Sequence, residues 1–349
     1  MMPLTDRKTT TYVALFIAFL ASFNVYIGVQ QTATERQGIT TTSTPSLLRQ
    51  ENNNVKQTGI VTVTDAATTS AAASRLERME MYQKRYKYLP PSPYFNHTER
   101  DVLCGTSPTF KKFFSMIDRR RPQRSANNED NTIYNLFFKD DNGKGIKGSV
   151  VEMGAYNGLQ ESNSRFFDVC LGWETMLVEG NPLLWDQVVS NRPHAHRFSY
   201  APSCSEEDEI ANTTVKFDSY PMTNGGLADG SVTTAYTFKN HTVDVPCGSL
   251  TKVLLDIFPN GHVSFFSLDV EGAEPLVVGN IDFDKVFIEV MMIENRNNFC
   301  EAKCESRDKF RKIMQDAGYE RFNPAVKKSD LFIHPLSKHL QTMKKMYKQ

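Results

Sequence analysis

From Gly148 onward, short apolar runs alternate with amphipathic ones, and the apolar runs end in acids. SVVEMG, TMLVEGN and VSFFSLDVEGAEPL are the clearest cases. Runs of four to eight apolar residues bounded by glycine read as buried strands. Between them, residues 159–170 place Leu159, Phe166, Phe167 and Cys170 on one helical face, stopped by Gly172. Residues 182–189, 249–258 and 307–317 give further helices, the last ended by Gly318. Strands follow at HAHRFSYAP, HVSFFSLDV, KVFIEVMMI, YERFN and DLFIHP. Alternation of this kind implies a doubly wound, mostly parallel α/β sheet with helices on both faces. The last two strands have no helix between them, so they predict one antiparallel edge strand. Residues 211–246 are a strand-prone excursion containing the turn NGGLADG.

The rest of the 349-residue chain is organised differently. Residues 12–29, YVALFIAFLASFNVYIGV, carry no charge and follow Arg7 and Lys8. The run is at the lower limit of a membrane-spanning helix, and the preceding positive charges place the N-terminus in the cytoplasm. A small-x-small cleavage pattern is poor before Ser22, which favours a signal anchor over a cleaved peptide. The expected order is a cytoplasmic tail at 1–11, the span at 12–29 and a stem or linker at 30–99. A helical extension follows at 100–146, the main domain at 147–335 and a basic, solvated tail at 336–349. The stem is rich in threonine, serine and alanine to about Ser74, a composition that resists folding; residues 75–88 have helical spacing, broken by PPSP. The anchor predicts a single-pass type II protein of the Golgi or endoplasmic reticulum with its domain in the lumen.

Sequons at Asn96, Asn212 and Asn240 and six cysteines agree with that compartment. The cysteine spacing does not suit zinc. Cys204 and Cys247 bound the excursion and are expected to pair, while Cys170 reads as a buried thiol. Lysine plus arginine equal aspartate plus glutamate at 40 each, so no basic field suggests nucleic acid.

In open α/β sheets, ligands bind beyond the carboxyl ends of the strands. The first strand runs into Glu152, Gly154, Ala155, Tyr156, Asn157 and Gly158. A dinucleotide fingerprint would have glycine at 152; the acid there repels a pyrophosphate and attracts an ammonium and a sulfonium. Glu179, ending the second strand, suits ribose hydroxyls, with Asn181 beside it. S-adenosylmethionine satisfies both. Ser162 and Asn163, in the first turns of the predicted helix, are candidates for the methionine carboxylate. Asp269 and Glu271 share strand parity and would lie together on the acceptor side, Asp269 as base or orienter. Glu274 before Pro275 suits a helix start. A hard cation such as Mg²⁺ is a competing reading, with Asp269, Glu271 and Glu289 as ligands. His262 lies at the strand's opposite end and reads as structural.

VEMGAYNG, LVEGNP and FFSLDVEGAEPLVV resemble the FkbM-type family of S-adenosylmethionine-dependent methyltransferases. The membrane-anchored eukaryotic branch is the most similar, with Gly225-Gly226 and VPCGSL. The resemblance covers roughly 147–335. It implies a class I methyltransferase (Rossmann-like) fold and O-methylation of a glycan or other small hydroxylated acceptor. The family usually carries aspartate where Asn157 stands. Some eukaryotic relatives are discussed as trafficking factors, so a non-catalytic luminal binding protein is the alternative.

Overall fold

The apolar runs become strands with both faces covered, which their near-continuous hydrophobicity requires. The computed structural model describes residues 64–93, 100, 104, 125–140, 145–219, 226–227, 241–295 and 305–347. The predicted span at 12–29, the stem to residue 63, the sequons at Asn96 and Asn240, and Cys300 and Cys304 lie outside them. Among the described residues no helix is long and apolar enough to cross a membrane.

The large sheet is built from β1 (Ser149–Met153), β2 (Glu174–Val178), β3 (His196–Phe198), β7 (His262–Leu268), β8 (Phe287–Glu294), β9 (Glu320–Val326) and β10 (Ser329–Ile333). Its order is β3-β2-β1-β7-β8-β10-β9. The pairings from β3 through β8 are parallel, and β10 runs antiparallel to both β8 and β9. The last two strands form the antiparallel edge that the sequence predicted, although the strand running against the rest, β10, lies one place in from β9. β10 lies between β8 and β9, with Leu331 and Ile333 fully buried. The order reverses between β1 and β7, where a crevice must open.

Alternation of side chains along each strand divides the core in two. Val151, Met153, Phe266 and Met291 face one cluster; Val150, Phe265, Val290 and Leu331 face the other. The first cluster receives α1 (Thr64–Arg85) through Tyr82 and Tyr86, both fully buried. The stem expected to run to residue 99 thus ends earlier, and this tyrosine stripe docks it on the domain. The helical extension is represented by α2 (Glu129–Ile133), which continues into a π-helical turn at Tyr134–Phe138. The C-terminal residues are not a solvated tail. They form α9 (His339–Tyr347), whose Leu340 and Met343 share one face and pack into the second cluster.

The remaining helices are α3 (Arg165–Leu171), α4 (Trp185–Asn191), α5 (Glu206–Ile210), α6 (Leu250–Ile257), α7 (Glu274–Gly279) and α8 (Glu305–Asp316). The excursion folds into a small antiparallel sheet of β4 (Thr214–Asp218), β5 (Gly226–Leu227) and β6 (Thr242–Pro246). Cys204 and Cys247 form the expected disulfide, which ties the chain after β3 to the end of β6. Cys170 is not a free thiol: it pairs with Cys104. Closing loops of these lengths stabilises the fold by about 4 kcal/mol each in the chain-entropy account.

Candidate active site

The site forms where β1, β2, β7 and β8 end. After Met153 the chain turns sharply at Gly154 (φ 80°), and Gly154 and Ala155 both donate their N–H to Val178 O. A Cβ on Gly154 would stand 1.8 Å from Asp269 O, so only glycine lets the β1 turn pass the end of β7. Tyr156, also at positive φ, donates its N–H to Glu179 Oε2 at 2.7 Å. Asn157 Oδ1 accepts from Leu159 N at 3.0 Å and Gln160 N at 2.8 Å. That answers the departure from the family's aspartate: the amide oxygen still caps the loop.

The helix expected from residue 159 begins only at Arg165. Residues 159–164 are held as a loop because Glu152 draws them in. Its Oε2 accepts from Ser162 Oγ at 2.7 Å and Ser164 Oγ at 2.6 Å, and its Oε1 from Asn163 N at 2.6 Å. Ser162 and Asn163 are therefore not the first turn of a helix. Asn163 also donates Nδ2 to Ser267 Oγ at 2.9 Å, bridging to β7.

Glu179 is buried, and its second oxygen accepts from Asn181 N at 2.7 Å. Burial pushes its carboxyl up to about 7 against the opposing pull of those two N–H donors. Asn181 Oδ1 in turn accepts from Ser219 Oγ at 2.7 Å and Leu183 N at 3.1 Å. The acid is fixed in place but keeps unused lone pairs for a hydroxyl donor.

The acids after β7 do not arrange as the sequence suggested. The strand ends at Leu268, and Glu271 sits in a left-handed turn (φ 61°), so parity with Asp269 is lost. Asp269 instead meets Glu274 and Glu294, with one oxygen of each within 4.8 Å of the others. Glu274 begins α7 as expected, yet its carboxylate also folds back to accept from Val270 N at 3.2 Å and Gly272 N at 3.1 Å. Burial raises the Glu274 carboxyl to about 7. Burial, then the charges of Asp269 and Glu274 and a hydrogen bond with Asp269, push Glu294 up to about 9. Lys328 opposes that rise. Glu294 was missed in the sequence, although it ends the fifth strand of the large sheet and obeys the same end-of-strand rule.

The proposed cation set of Asp269, Glu271 and Glu289 is not assembled. Glu289 bonds His262 Nε2 at 2.8 Å, in the register that pairs His262 with Phe287 at the start of β7 and β8. His262 is placed as expected, away from the crevice.

A cavity of about 270 Å³ occupies the crevice. Of the predicted cofactor residues, Glu152, Gly154, Ala155, Tyr156, Glu179 and Asn181 line it, and so do Asp269 and Glu271. Asn157, Gly158 and Ser162 do not; they hold the loop. Phe217 and Leu227 of the small sheet, Pro202 after β3 and Lys328 in the β9–β10 turn complete the wall. Phe217, Leu227 and Lys328 come from an excursion and a hairpin that carry no readable ligand code. The donor set fits S-adenosylmethionine: a buried acid for an ammonium, a second for ribose, apolar walls for a ring and a glycine turn for close backbone approach.

The family described as Methyltransferase FkbM domain matches residues 152–321. Among curated proteins, none matches the chain. Among solved structures, the chain is similar to a TehB-like SAM-dependent methyltransferase from Corynebacterium glutamicum ATCC 13032 Kitasato. Identity is 9%, over 60% of this chain and 88% of that one, with a TM-score of 0.33. It is also similar to an O-methyltransferase from Bacillus cereus in complex with SAH, at 10% identity over 78% and 93% of the two chains and a TM-score of 0.28. A fibrillarin pre-rRNA processing protein from Methanococcus jannaschii matches at 11% identity over 56% and 74%, with a TM-score of 0.30. These likenesses are too remote to carry weight beside the family match and the strand order.

Proposed function

Because residues 152–321 match the family described as Methyltransferase FkbM domain, we propose that this chain is an S-adenosylmethionine-dependent O-methyltransferase. Its acceptor is a hydroxyl of a glycan or another hydroxylated metabolite. The observation that carries this reading is the convergence of Glu152, Gly154, Glu179 and Asp269 on one cavity at the carboxyl ends of β1, β2 and β7. Glu152 receives the ammonium group and Glu179 the ribose hydroxyls, while the Gly154 turn lets backbone approach the ligand. The bound cofactor supplies an electrophilic methyl group. Asp269 would orient the acceptor hydroxyl and hold the proton that it gives up on methylation. Glu271 is the second acid of the acceptor side.

Calorimetric titration of the purified full-length chain with S-adenosylmethionine is the direct test; no binding under oxidising or reducing conditions sinks the reading. Labelled methyl transfer to luminal glycan and small-molecule extracts then identifies the acceptor. A non-catalytic binding factor would keep its cellular function in Asp269→Asn and Glu152→Gln, whereas an enzyme loses it.

The Cys104–Cys170 and Cys204–Cys247 disulfides support placement in the lumen of the secretory pathway, with residues 12–29 as a type II anchor. Protease protection in sealed microsomes tests this; digestion of the domain in intact vesicles overturns it.

A further inference from the structure

Arg192 is among the largest fully buried side chains, with 1% of its surface exposed. A guanidinium removed from water is tolerated only where its donors are matched. It follows the last residue of α4 and reaches beneath the loop after β1. Its Nε donates to Asp168 Oδ2 at 2.8 Å. Nη1 donates to Gly158 O at 3.2 Å and Ser162 Oγ at 3.0 Å, and Nη2 to Ser164 Oγ at 3.0 Å. Both serine hydroxyls then donate to Oε2 of Glu152. The direct separation of Arg192 Nη1 from Glu152 is 3.8 Å, beyond hydrogen-bond range. The cation and the anion are joined through two hydroxyls.

The chemistry of the bridge is directional. A hydroxyl has one hydrogen, and guanidinium has donors but no acceptor. Each serine facing Arg192 must accept from it and send its hydrogen to Glu152. Oε2 is thereby filled, and Oε1, with Asn163 N on one lone pair, keeps the other for a ligand in the cavity that Glu152 lines. Gly158 belongs to the same device. A Cβ there would stand 2.9 Å from Arg192 Cγ, so this glycine makes room for the arginine and not for the ligand.

We propose that Arg192 is a positioning residue for cofactor binding: through Ser162 and Ser164 it fixes the Glu152 carboxylate in the orientation that receives the ammonium group. This role rests on the methyltransferase reading above.

Full-length wild type and the Ser162→Ala/Ser164→Ala variant are titrated calorimetrically with S-adenosylhomocysteine and with its analogue lacking the amino group. The double variant leaves the Arg192–Asp168 pair intact, and thermal unfolding confirms that it is folded. Its affinity for S-adenosylhomocysteine should fall about tenfold or more, the scale of lost hydrogen bonds to a charged group, while the deaminated analogue binds as before. Arg192→Lys, which keeps the charge but not the fork, should show the same selective loss. Equal losses for both ligands, or an undiminished preference for the amine, overturn the positioning role while leaving the cofactor reading standing. Failure of wild type to bind either ligand overturns the methyltransferase reading and this role with it.

Discussion

Glu152 and Asp269 lie at the ends of neighbouring parallel strands, in opposite circumstances. Around Glu152 everything donates: two serine hydroxyls, the Asn163 N–H and, behind them, Arg192. Around Asp269 gather other carboxyls, Glu274 and Glu294, with Lys328 as the opposing cation. The first acid has its partners before any ligand arrives and works as a rigid, preorganised seat. The second belongs to a crowd whose repulsion is relieved by protons held on Glu274 and Glu294, or by a cationic ligand nearby. Binding is built into one strand end and responsiveness into the next.

Gly154 joins the two regions, so changing it should have the largest effect. Gly154→Ala puts a methyl 1.8 Å from Asp269 O at a φ of 80°. Left-handed strain of about 1–3 kcal/mol adds to a clash with backbone that cannot turn aside. The expected result is loss of cofactor binding by calorimetry and a lowered melting temperature; a stable variant that binds normally would break the idea that the two ends share one wall. Next is Asp269→Asn, which should slow methyl transfer by about 10²–10⁴-fold, the usual worth of a general base, with cofactor affinity little changed. Glu152→Gln should do the reverse. It removes the charge that faces the ligand and sets an NH₂ either against the Asn163 N–H or against two hydroxyls already accepting from Arg192, so cofactor affinity should fall roughly 10–100-fold, read by titration. If Asp269→Asn costs affinity and Glu152→Gln costs only rate, the roles are exchanged.

The division between legible and illegible residues follows the same physics. Strand ends are local, so Glu152, Gly154, Glu179 and Asp269 could be found from apolar runs that stop in acids. Loop hydrogen bonding is not local. Leu159 to Ser164 have helical spacing, but Glu152 captures Ser162, Asn163 and Ser164 first and delays α3 to Arg165. Glu271 has strand parity with Asp269, but a turn at positive φ cancels parity. Arg192 carries no signal at all in the sequence, since a lone arginine after a helix is usually solvated. The order of the last two strands escaped for a related reason: a hairpin fixes their pairing but not which partner faces β8. The C-terminal helix hid in its charge, because Lys344 and Lys345 offset the two apolar residues, Leu340 and Met343, that dock it.

The smallest expected effect separates the two acidic ends by pH. Glu179 and Glu274 titrate near 7 and Glu294 near 9, all above the 4.5 of a free glutamate. For each, the folded state holds a proton that the unfolded chain has already released. Stability from these groups is complete below about pH 4.5 and is lost as pH rises through the folded values. Two of the three, Glu274 and Glu294, lie in the crowded region. The ligand-free chain should therefore melt progressively lower from pH 5 to pH 9. Glu294→Gln keeps the shape of the protonated acid and has no charge to bury, so it should recover part of the loss between pH 7 and pH 9. Each kcal/mol regained raises the melting temperature by about 2–4 °C for a domain of this size. A profile that rises with pH, or one that Glu294→Gln leaves unchanged, would put the unsettled charge at the wrong strand.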